Sequence, residues 1–255
     1  MSGQRERERR REERILSEEA ASGAERRRQV LQLAAGVVFL AIAAVVVLIV
    51  VTASNSESGG DTELEEVADV RALLDGIPQK NLVLGDPQAP VELIEFGDLQ
   101  CPVCKGYSEE VLPPLIENQV RAGEVKLSFR NFTIIGPQSL PAGAAALAAG
   151  AQGRGWNYVE LFYRNQGRED SGYADDEFLT SIAKAVGVGN LAKWNRERQS
   201  PQRRQEVEAS TREAQKLGFS GTPSFAIKGP ANEGLKALGT PGSTGALEEA
   251  IEDAS

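Results

Sequence analysis

The chain's two cysteines, Cys101 and Cys104, stand three residues apart, directly after a continuous apolar run and at the head of a helical pattern. A disulfide joining them would constrain the unfolded chain by only roughly 2 kcal/mol on the loop-entropy model, so it is a weak staple and a well-placed reversible switch. Val91 to Phe96 reads as a strand buried within a sheet. A short loop leads to Cys101, a helical pattern follows to about Val120 with a kink or break predicted at Pro113 and Pro114, and Val125 to Asn131 completes a β-α-β unit. Cys101 therefore falls at a helix N-terminus, where unpaired N–H groups and the helix dipole favour the thiolate and lower the thiol pKa. Cys104, one turn deeper, is the candidate resolving thiol that closes the disulfide after a mixed-disulfide intermediate. Pro102 suits the first helical position because its missing N–H would be unpaired there anyway.

Composition narrows the chemistry. The chain has no histidine, which removes imidazole acids and bases, histidine metal sites and the usual catalytic triads. Zinc would have to be held by carboxylates beside two thiols, a poor ligand set, so no metal is expected. A purely structural disulfide stays open as the bland alternative. The net charge of -9 offers no basic surface to a nucleic-acid backbone. Gly187-Val188-Gly189 lacks the spacing of a nucleotide loop, so no cofactor is expected either.

The N-terminal part reads differently. Residues 1–29 are rich in arginine and glutamate, residues 30–53 form an uncharged, almost wholly apolar stretch long enough to cross a ~30 Å hydrocarbon core, and residues 54–80 hold a Ser/Gly-rich linker and a short helix. Nine arginines precede the stretch, whereas the next basic residue after it is Arg71. The positive-inside rule then places the N-terminus in the cytoplasm and the rest outside, as a single-pass cell-membrane protein. A cleavable signal peptide ending near Val51-Thr52-Ala53 is the rival, although the apolar stretch exceeds the ~7–15 residues of a signal core. The short helix is predicted through Leu64, Val67, Val70 and Leu74, with Thr62 and Glu65 as its capping box.

Residues 81–255 read as an α/β domain. Helical patterns fill about 137–218: an Ala-rich stretch from Pro141, an aromatic one around Trp156, Leu161 and Phe162, and amphipathic ones over Phe178 to Val186 and Gln202 to Leu217. After Gly221-Thr222-Pro223 come a strand from Ser224, a possible partner near Leu235 to Leu238 and a closing helix from about Thr244.

Taken together, Leu84-Gly85-Asp86-Pro87, Ala89-Pro90-Val91, Glu95-Phe96-Gly97-Asp98 leading into Cys101-Pro102-Val103-Cys104, the Trp156 helix, and Gly218-Phe219-Ser220-Gly221-Thr222-Pro223 resemble the DsbA-type thiol:disulfide oxidoreductases of the thioredoxin superfamily. The resemblance runs from about Leu84 to Ala254. It implies a thioredoxin fold with an inserted helical subdomain, preceded here by the transmembrane helix. It also implies a cis Pro223 beside the cysteines, with Thr222 pairing to an extended substrate, contacts from Pro102 and Val103, and Glu95 as a buried acid relaying the proton of Cys104. Glu95 inside an apolar strand should have a raised pKa; an exposed or capping glutamate is its alternative. Strongly oxidising members often carry histidine between the cysteines, whereas Val103 is neutral.

The sequence thus points to a membrane-anchored, extracytoplasmic oxidoreductase. It would exchange disulfides with cysteine-containing exported proteins, in concert with a membrane redox partner. Oxidation is the favoured direction, reduction or isomerisation the same-class alternative, and a tethered non-catalytic binding module the different-class one.

Overall fold

The computed structural model describes residues 64–255. The predicted membrane helix over 30–53 and the arginine-rich segment before it lie outside them; among the described residues no helix is long and apolar enough to cross a membrane. A six-stranded sheet has the order β1-β2-β4-β3-β5-β6, formed by β1 (Gln79–Lys80), β2 (Val83–Leu84), β3 (Val91–Gly97), β4 (Val125–Asn131), β5 (Ser224–Lys228) and β6 (Lys236–Gly239). Only β3 and β4 run parallel, joined by the helical crossover predicted from the apolar runs. β3 is hydrogen-bonded on both edges, with Leu93 opposite Leu127 on one side and Ile227 on the other. Alternate residues of β3 serve two separate cores. Ile94 and Phe96 pack with Phe132, Ala226 and Ala214, while Val91 and Leu93 join the larger cluster that includes Leu115, Ile116, Leu247 and Ile251.

The crossover from Cys101 is continuous helix rather than two broken pieces. α2 (Pro102–Gly106) runs into a π turn (Tyr107–Val111), α3 (Leu112–Leu115) and a second π turn (Ile116–Val120). The break expected at Pro113 and Pro114 does not occur, because the turn before them widens: the Leu112 N–H bonds to the carbonyl of Tyr107, five residues back. Widening gives the two pyrrolidine rings room beside the preceding turn and leaves their missing donors without a required partner.

Five helices form the insertion: α4 (Ser139–Gly150), α5 (Gly155–Arg164), α6 (Asp176–Ala185), α7 (Leu191–Arg198) and α8 (Pro201–Lys216). α4 is central, packing on α5, α7 and α8. Its buried alanines, among them Ala142, Ala145, Ala146 and Ala149, let those neighbours approach closely. Two buried tryptophans tie the layers together through their indole N–H groups, Trp156 to the Leu82 carbonyl and Trp194 to that of Ala145, both at 2.9 Å. Phe162, Phe178 and Tyr173 pack edge-on or tilted at centroid separations of 5.1 to 6.1 Å. α9 (Thr244–Ala254), capped by Ser243, closes the fold.

Upstream, α1 (Val67–Leu74) begins without the predicted capping box: Thr62 lies outside the described residues, and Glu66 precedes the helix in the left-handed conformation with no side-chain cap. Instead of a cap, Asn165 of the insertion holds the residue before the N-cap, accepting from the Glu65 N–H at 2.8 Å and donating to the Glu65 carbonyl at 3.0 Å. A long-range partner of this kind leaves no trace in local spacing. Val70, Leu73 and Leu74 enter the main core, and β1 lies in the sheet, so the folded domain reaches upstream of residue 81.

Two glycines separate space from propensity. A Cβ on Gly155 would lie 2.1 Å from the Asn81 carbonyl oxygen, whereas one on Gly106 would meet nothing within 4 Å. Gly155→Ala should lower the urea-unfolding free energy by about 1–3 kcal/mol, and Gly106→Ala should raise it by up to about 1 kcal/mol. Equal effects from the two substitutions would contradict this packing.

Candidate active site

Strand β3 ends at Gly97, and Asp98 anchors the loop that carries the first cysteine. One Asp98 carboxylate oxygen accepts from the Gln100 N–H at 2.9 Å, the other from the N–H groups of Ile134 and Ile135 at 2.8 and 3.0 Å, and its carbonyl accepts from the Cys101 N–H at 2.9 Å. Gln166 reaches from the end of the aromatic helix to the carbonyls of Leu99 and Cys101 at 2.7 and 3.1 Å. The sequence motif includes Asp98 but assigns it no role, and Gln166 lies outside every motif. Asp98 was visible as the polar end of an apolar strand, while Gln166 reaches the loop only through the tertiary fold.

Cys101 is the N-cap of α2, with extended backbone angles and its sulfur accepting from the Cys104 N–H at 3.5 Å. Pro102 occupies the first helical turn. On the opposite side, the Cys101 thiol donates to the Thr222 carbonyl at 3.4 Å, and the Thr222–Pro223 peptide bond is cis. That loop is held in place by Thr240, whose hydroxyl donates to the Pro223 carbonyl at 2.7 Å, and by Ser224 bonding back to Gly221. Tyr107 of the helix donates to the Pro241 carbonyl. Both cysteines are free thiols with little exposure, whereas Val103 between them is 53% exposed. The structure thus brings Cys101, Cys104, Pro102, Val103, Thr222 and Pro223 to one place, with Glu95 beneath.

Electrostatics differ sharply across these few ångströms. The Cys101 thiol is lowered to about 6, chiefly by its hydrogen bond with Cys104, opposed by burial and aided by Thr222 and the N–H groups of Cys104 and Val103. The Thr222 hydroxyl is buried and otherwise unpartnered, so it is available to a thiolate. Cys104 is pushed well above an ordinary thiol, first by burial and then by Cys101 and Glu95. Glu95, 3% exposed and set between Phe129 and Phe225 of the neighbouring strands, is raised to about 8 by burial, then by Glu160 and Cys101. A Cβ on Gly97 would lie 2.6 Å from the Phe129 ring, 3.0 Å from the Tyr163 hydroxyl and 3.1 Å from Glu95 Oε1, so glycine there lets the wall close over the acid. Among the described residues no cluster of three His, Cys, Asp or Glu could hold a metal ion.

The family model described as "Thioredoxin" matches residues 78–251. The probable disulfide bond formation protein D of Bacillus cereus is 32% identical over 149 residues, 57% of this chain and 69% of the relative. The chain belongs to the DsbA-type thiol:disulfide oxidoreductases of the thioredoxin superfamily. Solved structures agree in fold. BdbD from Bacillus subtilis, in its oxidised form, superposes with a TM-score of 0.61 at 22% identity, covering 71% of this oxidoreductase and 98% of BdbD. A thioredoxin-like oxidoreductase from Silicibacter pomeroyi gives 0.54 at 28% identity, covering 72% and 96%.

The thiol asymmetry makes a direct prediction for this oxidoreductase. Alkylation of the reduced enzyme by iodoacetamide should occur at Cys101 alone and increase with pH through a midpoint near 6. Mass spectrometry of the alkylated protein checks both points. A midpoint near 8.5, the ordinary thiol value, or preferential modification of Cys104, would reject the activated-thiol arrangement.

Proposed function

We propose that this oxidoreductase is a membrane-anchored oxidase that introduces disulfides into exported proteins on the outer face of the cell membrane. Cys101 is the sulfur exchanged with substrate, Cys104 resolves, Thr222 and Pro223 present the substrate segment beside Pro102 and Val103, and Glu95 moves the proton of Cys104. Residues 30–53 form the anchor, residues 1–29 remain in the cytoplasm, and a membrane redox partner returns the pair to the disulfide.

The observation that carries the oxidase direction is the stabilised Cys101 thiolate. Lowering that pKa stabilises the reduced enzyme, which makes its disulfide the stronger oxidant. Donors at the helix start, Cys104 and Thr222 provide this stabilisation without a histidine between the cysteines. The name of the Bacillus cereus relative, a probable disulfide bond formation protein, supports the same direction. Exported substrates and the anchor rest on the arginine-rich, apolar and then acidic order of the chain.

Equilibration of the full chain with glutathione tests the direction. A potential nearer ~-120 mV than ~-270 mV is expected, and a value at the thioredoxin end would turn the reading to reductase. The pH dependence supplies a second check. Reduction takes up two protons below the Cys101 pKa and one above it, so the potential should fall by about 59 mV per pH unit below pH 6 and about 30 mV above it. Cys101→Ser should abolish exchange altogether; retained partner binding with wild-type function would instead indicate a tethered binding module.

A further inference from the structure

A second carboxyl is buried on the helix that packs against the cysteine-bearing helix, and it belongs to none of the roles assigned so far. Glu160, on α5, is 1% exposed. Its Oε2 accepts from the Ser108 hydroxyl at 2.9 Å and stands 3.7 Å from a guanidinium nitrogen of Arg164, while its Oε1 is buried with no hydrogen-bond partner. Ser108 lies one turn beyond Cys104 on the same continuous helix, so Glu160 is fastened to the face that carries the resolving thiol. Glu95 Oε1 is likewise buried and unpartnered. From Glu160 the polar contacts lead outward: Arg164 also binds Glu66, which is exposed.

Two neighbouring carboxyls in a dry interior do not both ionise, and the better-solvated one takes the charge. Glu160 has a hydroxyl donor and a nearby guanidinium. Glu95 has neither; it faces the Glu160 charge and that of Cys101. Glu109, on the π turn, is the further acid acting on Glu160. Burial holds Glu160 up to about 7, with Ser108 and Arg164 lowering it and Glu109 raising it, against about 8 for Glu95.

We propose that Glu160 is a positioning residue for thiol exchange: its buried carboxylate acts on Glu95 so that Glu95 keeps the proton it hands to Cys104. This rests on Glu95 serving as the proton donor. A substrate thiolate attacks Cys101 Sγ, the Cys101–Cys104 bond breaks, and Cys104 leaves with the electron pair. Glu95 gives its proton to that thiolate and is reprotonated from solvent. The substrate sulfur is oxidised into the mixed disulfide and Cys104 is reduced. A second substrate thiolate then attacks the substrate sulfur of the mixed disulfide, completing the substrate disulfide and releasing Cys101 as the thiolate. Glu160 forms no bond to substrate; it sets the pH range in which the donor is loaded.

The test follows the Glu95 carboxyl by carbon-13 NMR in the reduced full-length chain, assigned with Glu95→Gln. Glu160→Gln keeps the size and the Ser108 hydrogen bond but removes the charge, and it should lower the Glu95 midpoint by about one pH unit. The alkaline limb of the exchange-rate profile should move down with it, while the Cys101 alkylation midpoint stays near 6. Ser108→Ala should shift Glu95 the same way by less, since Glu160 then ionises only at higher pH, and it carries the test should Glu160→Gln fail to fold. An unmoved Glu95 midpoint in the folded variant overturns the proposal. An exchange profile unchanged by Glu95→Gln would instead remove the donor role of Glu95, a result distinguishable from the first.

Discussion

Strand β3 has no free edge, and the site follows from that constraint. With β4 and β5 hydrogen-bonded on either side, a polar side chain at position 95 has Phe129 and Phe225 as its lateral neighbours. The residues it shares a face with, Val91 and Leu93, are fully buried. The strands thus flank the carboxyl on both sides, and the helix that carries Tyr163 helps close the face above it, leaving Glu95 3% exposed. The same strand ends two residues later at Gly97, where the absence of a side chain lets Phe129 and Tyr163 close in, and passes directly to Asp98, which fixes the cysteine loop with four hydrogen bonds. One strand thus fixes both the dry acid and the sulfur above it.

Four titrating groups, Cys101, Cys104, Glu95 and Glu160, then compete for negative charge in a small volume. Burial raises all four, and only local donors decide which ionises first. Cys101 has the most: the helix-start N–H groups, the Cys104 thiol and the Thr222 hydroxyl. Its ionisation in turn raises Cys104 and Glu95, so the low value of one sulfur and the high value of the other are two aspects of one balance. A variant that removed a donor from Cys101 would ease the cost of ionising its neighbours, and double-mutant measurements should find these groups strongly non-additive.

Much of this was legible in the sequence because it is local. The apolar run of β3, the cysteines at the helix start and Pro102 at its first turn depend on neighbours within a few residues, and the structure places them as their spacing suggests. Glu160 was not singled out, although it is the lone acid in Gly155–Tyr163, a helical stretch buried throughout, and a charge with no solvent-facing side is a signal. Gln166, and Asn165 in place of the expected capping box, act across 65 to 100 residues and leave no periodicity to read. At Pro113 and Pro114, of the expected kink or break, the break is absent because the rule that proline breaks a helix assumes a fixed turn, and here the turn widens.

The exposure of Val103 follows from the same geometry. Cys101 and Cys104 both turn inward, one to Thr222 and the other into the core, so on a helix the pair between them must face out. Solvation alone would favour a polar residue there. Among the described residues the large apolar side chains left exposed are Val103 and Ile134, and Ile134 sits on the stretch that Asp98 holds beside the cysteine loop. Among the described residues, the large apolar side chains left exposed thus lie on the cysteine helix and on the stretch bonded to the Asp98 that anchors its loop. On the proposed function, such a lip would favour an extended segment bearing apolar side chains next to a cysteine, without dictating its sequence.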